Sequence, residues 1–434
     1  MHVKKHLSFA ALKAAMAERF RQIQDPRQPG KLDHCMHDVL MSGFAMMFFQ
    51  DPSLLAFQKR LQDSIQQNNL SKIFGVDSIP KDSQMRDILD GIPTETLADI
   101  FLDFLSRLQR GRQLDQYQFL DGKYLVPLDG SEYFSSEKIS CPYCLKTEHS
   151  KAAVRYHHQI LQAVIVHPDM RQVIPLFPEP IQNSDGYTKQ DCETNAGKRI
   201  VEKIRKTHPK LSIIITGDGL YSKQPFINAV KANGMSYILV AKPTDHKILF
   251  EWVAEITAMG EDEHLEFKDH KGRLHKYQWI NDVPLNGSRN ADQVNFFQYW
   301  IINEEGKTTY RNSWVTDLPV SWENIRDMVK GGRARWKIEN ETFNTLKNQG
   351  YHIEHNYGHG QQYLSMNFFV LNLLAFFVHQ ILELCDLPYQ RCRTKFSSRK
   401  EYWNQLRCTF RIILFRDFYH MLDYIFDPPM VRAP

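Results

Sequence analysis

Up to about residue 118, apolar positions recur with a helical period. Leu7 to Ile23 and Met36 to Phe49 carry that period, and Asp51-Pro52-Ser53 then supplies a stop and a restart, because proline fits the first turn of a new helix. Ser83 to Leu89 and Thr94 to Leu108 continue the pattern. Residues 1–118 are therefore expected to form a helical N-terminal domain.

The pattern changes at Phe119. Leu125 to Phe134, His157 to His167 (HHQILQAVIVH) and Gln172 to Phe177 read as strands. Asp191 to His208 reads as a basic helix, Leu211 to Ile215 (LSIII) as a short buried strand, Lys223 to Asn233 as a helix and Ser236 to Ala241 as another buried strand. Three strands, helix, strand, helix, strand is the order of an RNase H-like core, with a meander first and parallel crossovers after it. This mixed α/β core is expected over 119–245. Residues 246–310 break the rhythm with short β-type stretches, Lys276 to Ile280 and Val294 to Ile302, and read as a β-rich insertion. The core resumes over 311–385, with a strand at Ser313 to Thr316 and helices at Trp322 to Val329 and Ala334 to Asn348. A basic helical region, 386–434, follows.

A chain of 434 residues suggests about two to four structural units. Its 42% hydrophobic and 24% charged content is that of a folded soluble protein, and its net charge of +4 points weakly to polyanions. Seven scattered cysteines, without a signal-type segment after the basic N-terminus, read as a reduced, cytoplasmic protein. The most apolar stretch, Met366 to Leu384, includes Asn367, Asn372, His379, Gln380 and Glu383. It therefore reads as a buried helix rather than a membrane span.

Three acids carry candidate chemistry. Asp129 stands within an apolar strand (LVPLDGS), where a carboxylate is costly unless paired or bound to a metal. Asp218 follows three isoleucines and lies between Gly217 and Gly219, so a ligand can approach closely. Either Asp alone also fits a turn. On a wheel of about 100° per residue, Glu339 falls with Ile338, Thr342, Phe343 and Leu346, opposite Asn340, Glu341, Asn344 and Asn348. An inward Glu339 needs either Arg335, one turn earlier, or a divalent ion. Three such carboxylates make an oxygen-only site suited to two Mg²⁺ or Mn²⁺ ions.

At LDGSEYF around Asp129, ITGDGLYSK around Asp218 and RARWKIENETFNTLKNQG around Glu339, the chain resembles the DDE transposases of bacterial cut-and-paste insertion sequences. The resemblance covers roughly residues 119–380 and includes the β-rich insertion. It implies metal-dependent cleavage at transposon ends and strand transfer into target DNA, with Asp129, Asp218 and Glu339 as catalytic metal ligands. Double-stranded DNA would be the partner, a homodimer would form on it, and the protein would be nucleoid-associated. Arg335 matches the family's C-terminal signature. Gly332 stands at the Tyr position, Leu346 at the Lys position, and Lys347 one residue late. The rival readings are a nuclease on the same core without strand transfer, and a catalytically silent DNA-binding descendant.

Arg333, Arg335, Trp336, Lys337 and Lys347 are the candidate DNA contacts: cations beside a scissile phosphate and an indole able to stack on a base. A second basic run comprises Arg391, Arg393, Lys395, Arg399 and Lys400, with Arg407, Arg411 and Arg416 beyond it. Finally, Cys141-Pro142-Tyr143-Cys144 is followed by His149, His157 and His158. A structural zinc ion on Cys141, Cys144, His149 and His157 (or His158) is one reading, and an irregular loop with free thiols is the other.

Overall fold

Described here from a computed structural model are residues 5–28, 33–60, 62–148, 154–183 and 190–429. Among them, twelve strands join in one mixed sheet. They are β1 (Gln118–Phe119), β2 (Lys123–Ser136), β3 (Leu145–Thr147), β4 (Arg155–Ile165), β5 (Ile174–Pro175), β6 (Glu179–Ile181), β7 (Ile213–Gly217), β8 (Ser236–Val240), β9 (Glu263–Lys268), β10 (Leu274–Pro284), β11 (Gln293–Ile302) and β12 (Thr308–Thr316). The main path runs β3-β4-β2-β7-β8-β12-β11-β10-β9.

The centre of this path has the RNase H-like order. Strand β4 lies antiparallel to β2, while β7 and β8 run parallel to it. Strand β7, with three successive isoleucines, is buried on both faces, as a strand covered by crossover helices must be. Those helices are Glu193–Thr207, before β7, and Gln224–Ala232, between β7 and β8.

The segment between the second Asp and the Glu helix does not stand apart. Its strands β9 to β12 form an antiparallel meander that continues the same sheet, with β12 pairing to β8 through Trp314↔Val240 and Thr316↔Ile238. A helix at Lys247–Met259, absent from the sequence reading, opens the segment. The helix Ile325–Arg333 returns onto the sheet, where Gly332 is required: a Cβ there would lie 2.6 Å from the indole nitrogen of Trp314.

Leu364–Cys385 is long and apolar enough to cross a membrane, yet 83% of its most apolar window is buried inside the protein. Its polar side chains are used internally. Asn367 donates to the carbonyls of Leu89 and Ile92, Asn372 donates to that of Tyr351, and Gln380 accepts from the amide of Val173. Around it, N- and C-terminal helices share one core. The rings of Phe9 and Phe418 lie 4.1 Å apart, and Asn69 donates to the carbonyls of Phe410 and Ile413.

Candidate metal-binding active site

The paired register of β2 and β7 places the two aspartates. Pro127 pairs with Thr216 across the parallel ladder, so Asp129, in the middle of β2, and Asp218, just past the end of β7, stand at the same level. Neighbouring strands lie about 4.8 Å apart, so the two aspartates are side by side, level with the carboxyl end of β7. Both residues are half-buried. Asp218 also closes a local turn by accepting the amide of Leu220 at 2.9 Å.

Glu339 reaches the same patch from the segment Ile338–Phe343, which is π-helical: the amide of Asn344 bonds the Glu339 carbonyl five residues back. Single π-turns often occur at functional sites because they re-aim a side chain. Here the π-turn overturns the wheel reading. Glu339 is 48% exposed and not turned to the packed side, while Glu341 is half-buried. Its nearest cation is Arg335, at 2.6 Å.

The field at Asp129 reports the convergence. Burial chiefly, then the charges of Glu339, Glu193 and Asp218, push its carboxyl up to about 7, against the pull of Arg335. Four acids thus share one neighbourhood with one guanidinium.

The fourth acid, Glu193, was not anticipated. It opens the crossover helix Glu193–Thr207 and accepts a hydrogen bond from the Tyr221 hydroxyl at 2.7 Å. It also bonds the backbone of Gly130, where any Cβ would collide with the Glu193 carboxylate. Burial raises its pKa as well, with Asp218 adding to the effect. Tyr221 reaches it by threading between two glycines: a Cβ at Gly197 would lie 3.0 Å from the ring, and one at Gly217 2.8 Å. The Gly217 that reads as room for a ligand is therefore occupied from within by Tyr221. An acid in the first turn of a helix is common for reasons of helix polarity alone, so Glu193 carried no distinguishing signal in the sequence.

Such a donor set, oxygen-only and carrying more negative than positive charge, fits hard divalent cations of the Mg²⁺ or Mn²⁺ type. No family model and no curated protein matches the sequence. Among solved structures, the chain is similar to one described as a piggyBac transposase synaptic complex with hairpin DNA, solved by cryo-electron microscopy. The match has a TM-score of 0.38 and 10% identity, over 93% of this chain and 84% of the other. A likeness of that degree assigns neither family nor activity.

The basic residues near Glu339 divide into two groups. Arg333 is exposed and packs its guanidinium over the Tyr310 ring at 4.7 Å, and Trp336 is 43% exposed. Arg335 is held by Glu339, and Lys347 by Glu354 at 2.8 Å. Lys337, by contrast, is buried and donates to the carbonyl of Met170 at 2.7 Å, so its ammonium serves the fold and does not face a DNA path. Much of the second basic run is also used internally. Arg399 is buried against Glu383, Arg407 donates to the carbonyls of Phe49 and Gln50, and Lys395 donates to those of Ile425 and Phe426.

The two cysteines of the CxxC turn meet His158, the alternative to His157, together with His359, which was not expected. Cys141, Cys144, His158 and His359 bring four ligand atoms within 4.8 Å of one another. His157 is not among them, because alternation along β4 sends neighbouring side chains to opposite faces. His149 lies outside the described residues.

Proposed function

We propose that this chain is a DNA transposase that cuts at element ends and joins the freed 3′-end to target DNA, with Asp129, Asp218 and Glu339 as its catalytic carboxylates. The observation that carries this reading is the parallel register of β2 and β7, which sets Asp129 beside Asp218; the charges of Glu339, Glu193 and Asp218 are also near enough to add to burial in pushing the Asp129 carboxyl up to about 7. Arg335 opposes the acids in that field.

Within this reading, Asp129 from the middle of β2 and Asp218 from the end of β7 hold one side of the site, and Glu339 approaches from the π-turn. Divalent ions held there would supply the positive charge that in-line phosphoryl transfer requires at the entering and leaving oxygens. Glu193 fixes the backbone at Gly130, next to Asp129, and so sets the direction of that carboxylate. Arg333 and Trp336 present a cation and an indole beside the cleft, suited to a phosphate and to an unstacked base. Lys337 is not assigned a DNA contact. A DNA-bound homodimer, with one active site per end, belongs to the same proposal.

The test uses purified protein and duplexes taken from the DNA bordering its coding region. With Mg²⁺ or Mn²⁺, the wild type should nick them, and Asp218→Asn should bind without cutting. Equal cutting by Asp218→Asn, or an inert wild type under both metals, overturns the proposal. A pre-cut 3′-end that is joined to plasmid identifies a transposase. Cutting without joining leaves the nuclease.

A further inference from the structure

We propose that Cys141, Cys144, His158 and His359 form a closed, tetrahedral zinc site that pins the segment following the Glu helix to the hairpin carrying Asp129. The four ligand atoms have the spacing that a zinc ion imposes. Tetrahedral coordination at about 2.3 Å to sulfur and 2.0–2.1 Å to nitrogen separates two sulfurs by about 3.75 Å, sulfur and nitrogen by about 3.5 Å, and two nitrogens by about 3.3 Å. Here the sulfurs lie 3.7 Å apart. His158 Nε2 is 3.5 Å from each sulfur, and His359 Nε2 is 3.4 Å from Cys144 Sγ. The two Nε2 atoms are 3.1 Å apart. A disulfide would need the sulfurs at about 2.05 Å.

Protonation fits as well. His359 Nδ1 lies 2.9 Å from the carbonyl of Gly360, so it carries the hydrogen and leaves Nε2 as a bare lone pair aimed at the centre. Cys144, His158 and His359 are buried and Cys141 is half-buried. Phe134 packs on both imidazoles, with ring centroids 5.7 Å from His158 and 4.4 Å from His359, and Tyr133 stacks on His158. Two thiolates and two imidazoles suit zinc over the hard cations proposed for the carboxylates. Four protein ligands leave no open position, so the site is structural.

Its placement gives the role. Cys141 and Cys144 lie between β2 and β4, and His158 is on β4, whereas His359 is 215 residues beyond Cys144. The segment bearing His359 is also anchored from the helical side. Asp90 accepts the amides of Gln361, Gln362, Tyr363 and Leu364 at the start of the long buried helix. Zinc would thus tie together the sheet strand carrying the first Asp, the exit from the Glu helix and the helical body.

The test is independent of DNA chemistry, so its failure and that of the transposase reading are separable. Full-length protein purified without chelator should carry one zinc per chain by elemental analysis. Cobalt bound in its place should give the thiolate charge-transfer band and the strong visible bands of a tetrahedral site. Cys144→Ser and His359→Ala should lose the metal, whereas His157→Ala should keep it. Should the first two variants fail to fold, zinc released on denaturing the wild type, with the cobalt spectrum, still decides. Metal-free wild type with no cobalt bands, or full zinc retention by His359→Ala, overturns the proposal.

Discussion

Replacing Asp129 by Asn should stabilise the magnesium-free protein, and increasingly so as the pH rises. The carboxyl moves from 3.8 to about 7 on folding, roughly three pKa units at about 1.4 kcal/mol each. For a raised pKa, stability is intact below the unfolded value and is lost as pH climbs through the folded value. Ionising Asp129 in the folded chain therefore costs little at pH 3, about 1.5 kcal/mol at pH 5 and about 4 kcal/mol at pH 8. Asparagine keeps the shape and has no such cost. Urea denaturation of both proteins in magnesium-free buffer should show Asp129→Asn gaining about 2–3 kcal/mol on wild type between pH 5 and pH 8. Adding Mg²⁺ at a hundred times its dissociation constant should return about 2.7 kcal/mol to the wild type, with no comparable gain in the variant. A gap that does not change with pH, or that narrows toward pH 8, would refute the crowding of acids on which the site rests.

Three further substitutions probe the fold and the cleft. Gly332→Ala forces a methyl against the Trp314 indole and should cost about 1–3 kcal/mol in denaturant midpoint analysis; an unchanged midpoint would show that the contact relaxes freely. Arg399→Ala leaves Glu383 buried without its bidentate partner and should cost about 3–5 kcal/mol, with equal loss of stability at low and high salt because the pair is shielded from solvent. Trp336→Ala should weaken DNA binding by about 1–3 kcal/mol with little change in melting temperature, whereas Lys337→Ala should lower melting temperature first; the opposite ranking would return Lys337 to the DNA path.

Elements with a strong period were legible in the sequence. The three isoleucines of β7, the apolar strand β2 and the apolar run of Leu364–Cys385 all reappear, with bounds shifted by a few residues. What the sequence concealed depends on contacts between distant segments or on a departure from regular geometry. Within the π-turn at Ile338–Phe343, Ile338, Thr342 and Phe343 stay buried as the wheel has them, but Glu339 is exposed and Glu341 half-buried. Which of His157 and His158 meets the CxxC turn depends on which face of β4 that turn covers, and His359 arrives from far along the chain. Lys337 reads as one more cation until the carbonyl of Met170 is seen beneath it. Glu193 joins the acids only because Tyr221 passes between Gly197 and Gly217 to hold it.

The meander beyond β8 has a practical consequence for dissecting the molecule. The chain leaves the central sheet after Val240 and re-enters it beside the point of departure, where Ala241 and Ser313 already share two hydrogen bonds. A two-residue Asn-Gly turn would suffice to bridge that gap as a tight hairpin. Some seventy residues, 242 to 312, are in this sense a detachable loop of the sheet. Their excision would cost Trp314 the cover of Phe297, Arg333 its Tyr310 ring and Ser222 its bond to His246, while leaving β2 and β7, the strands of Asp129 and Asp218, as neighbours.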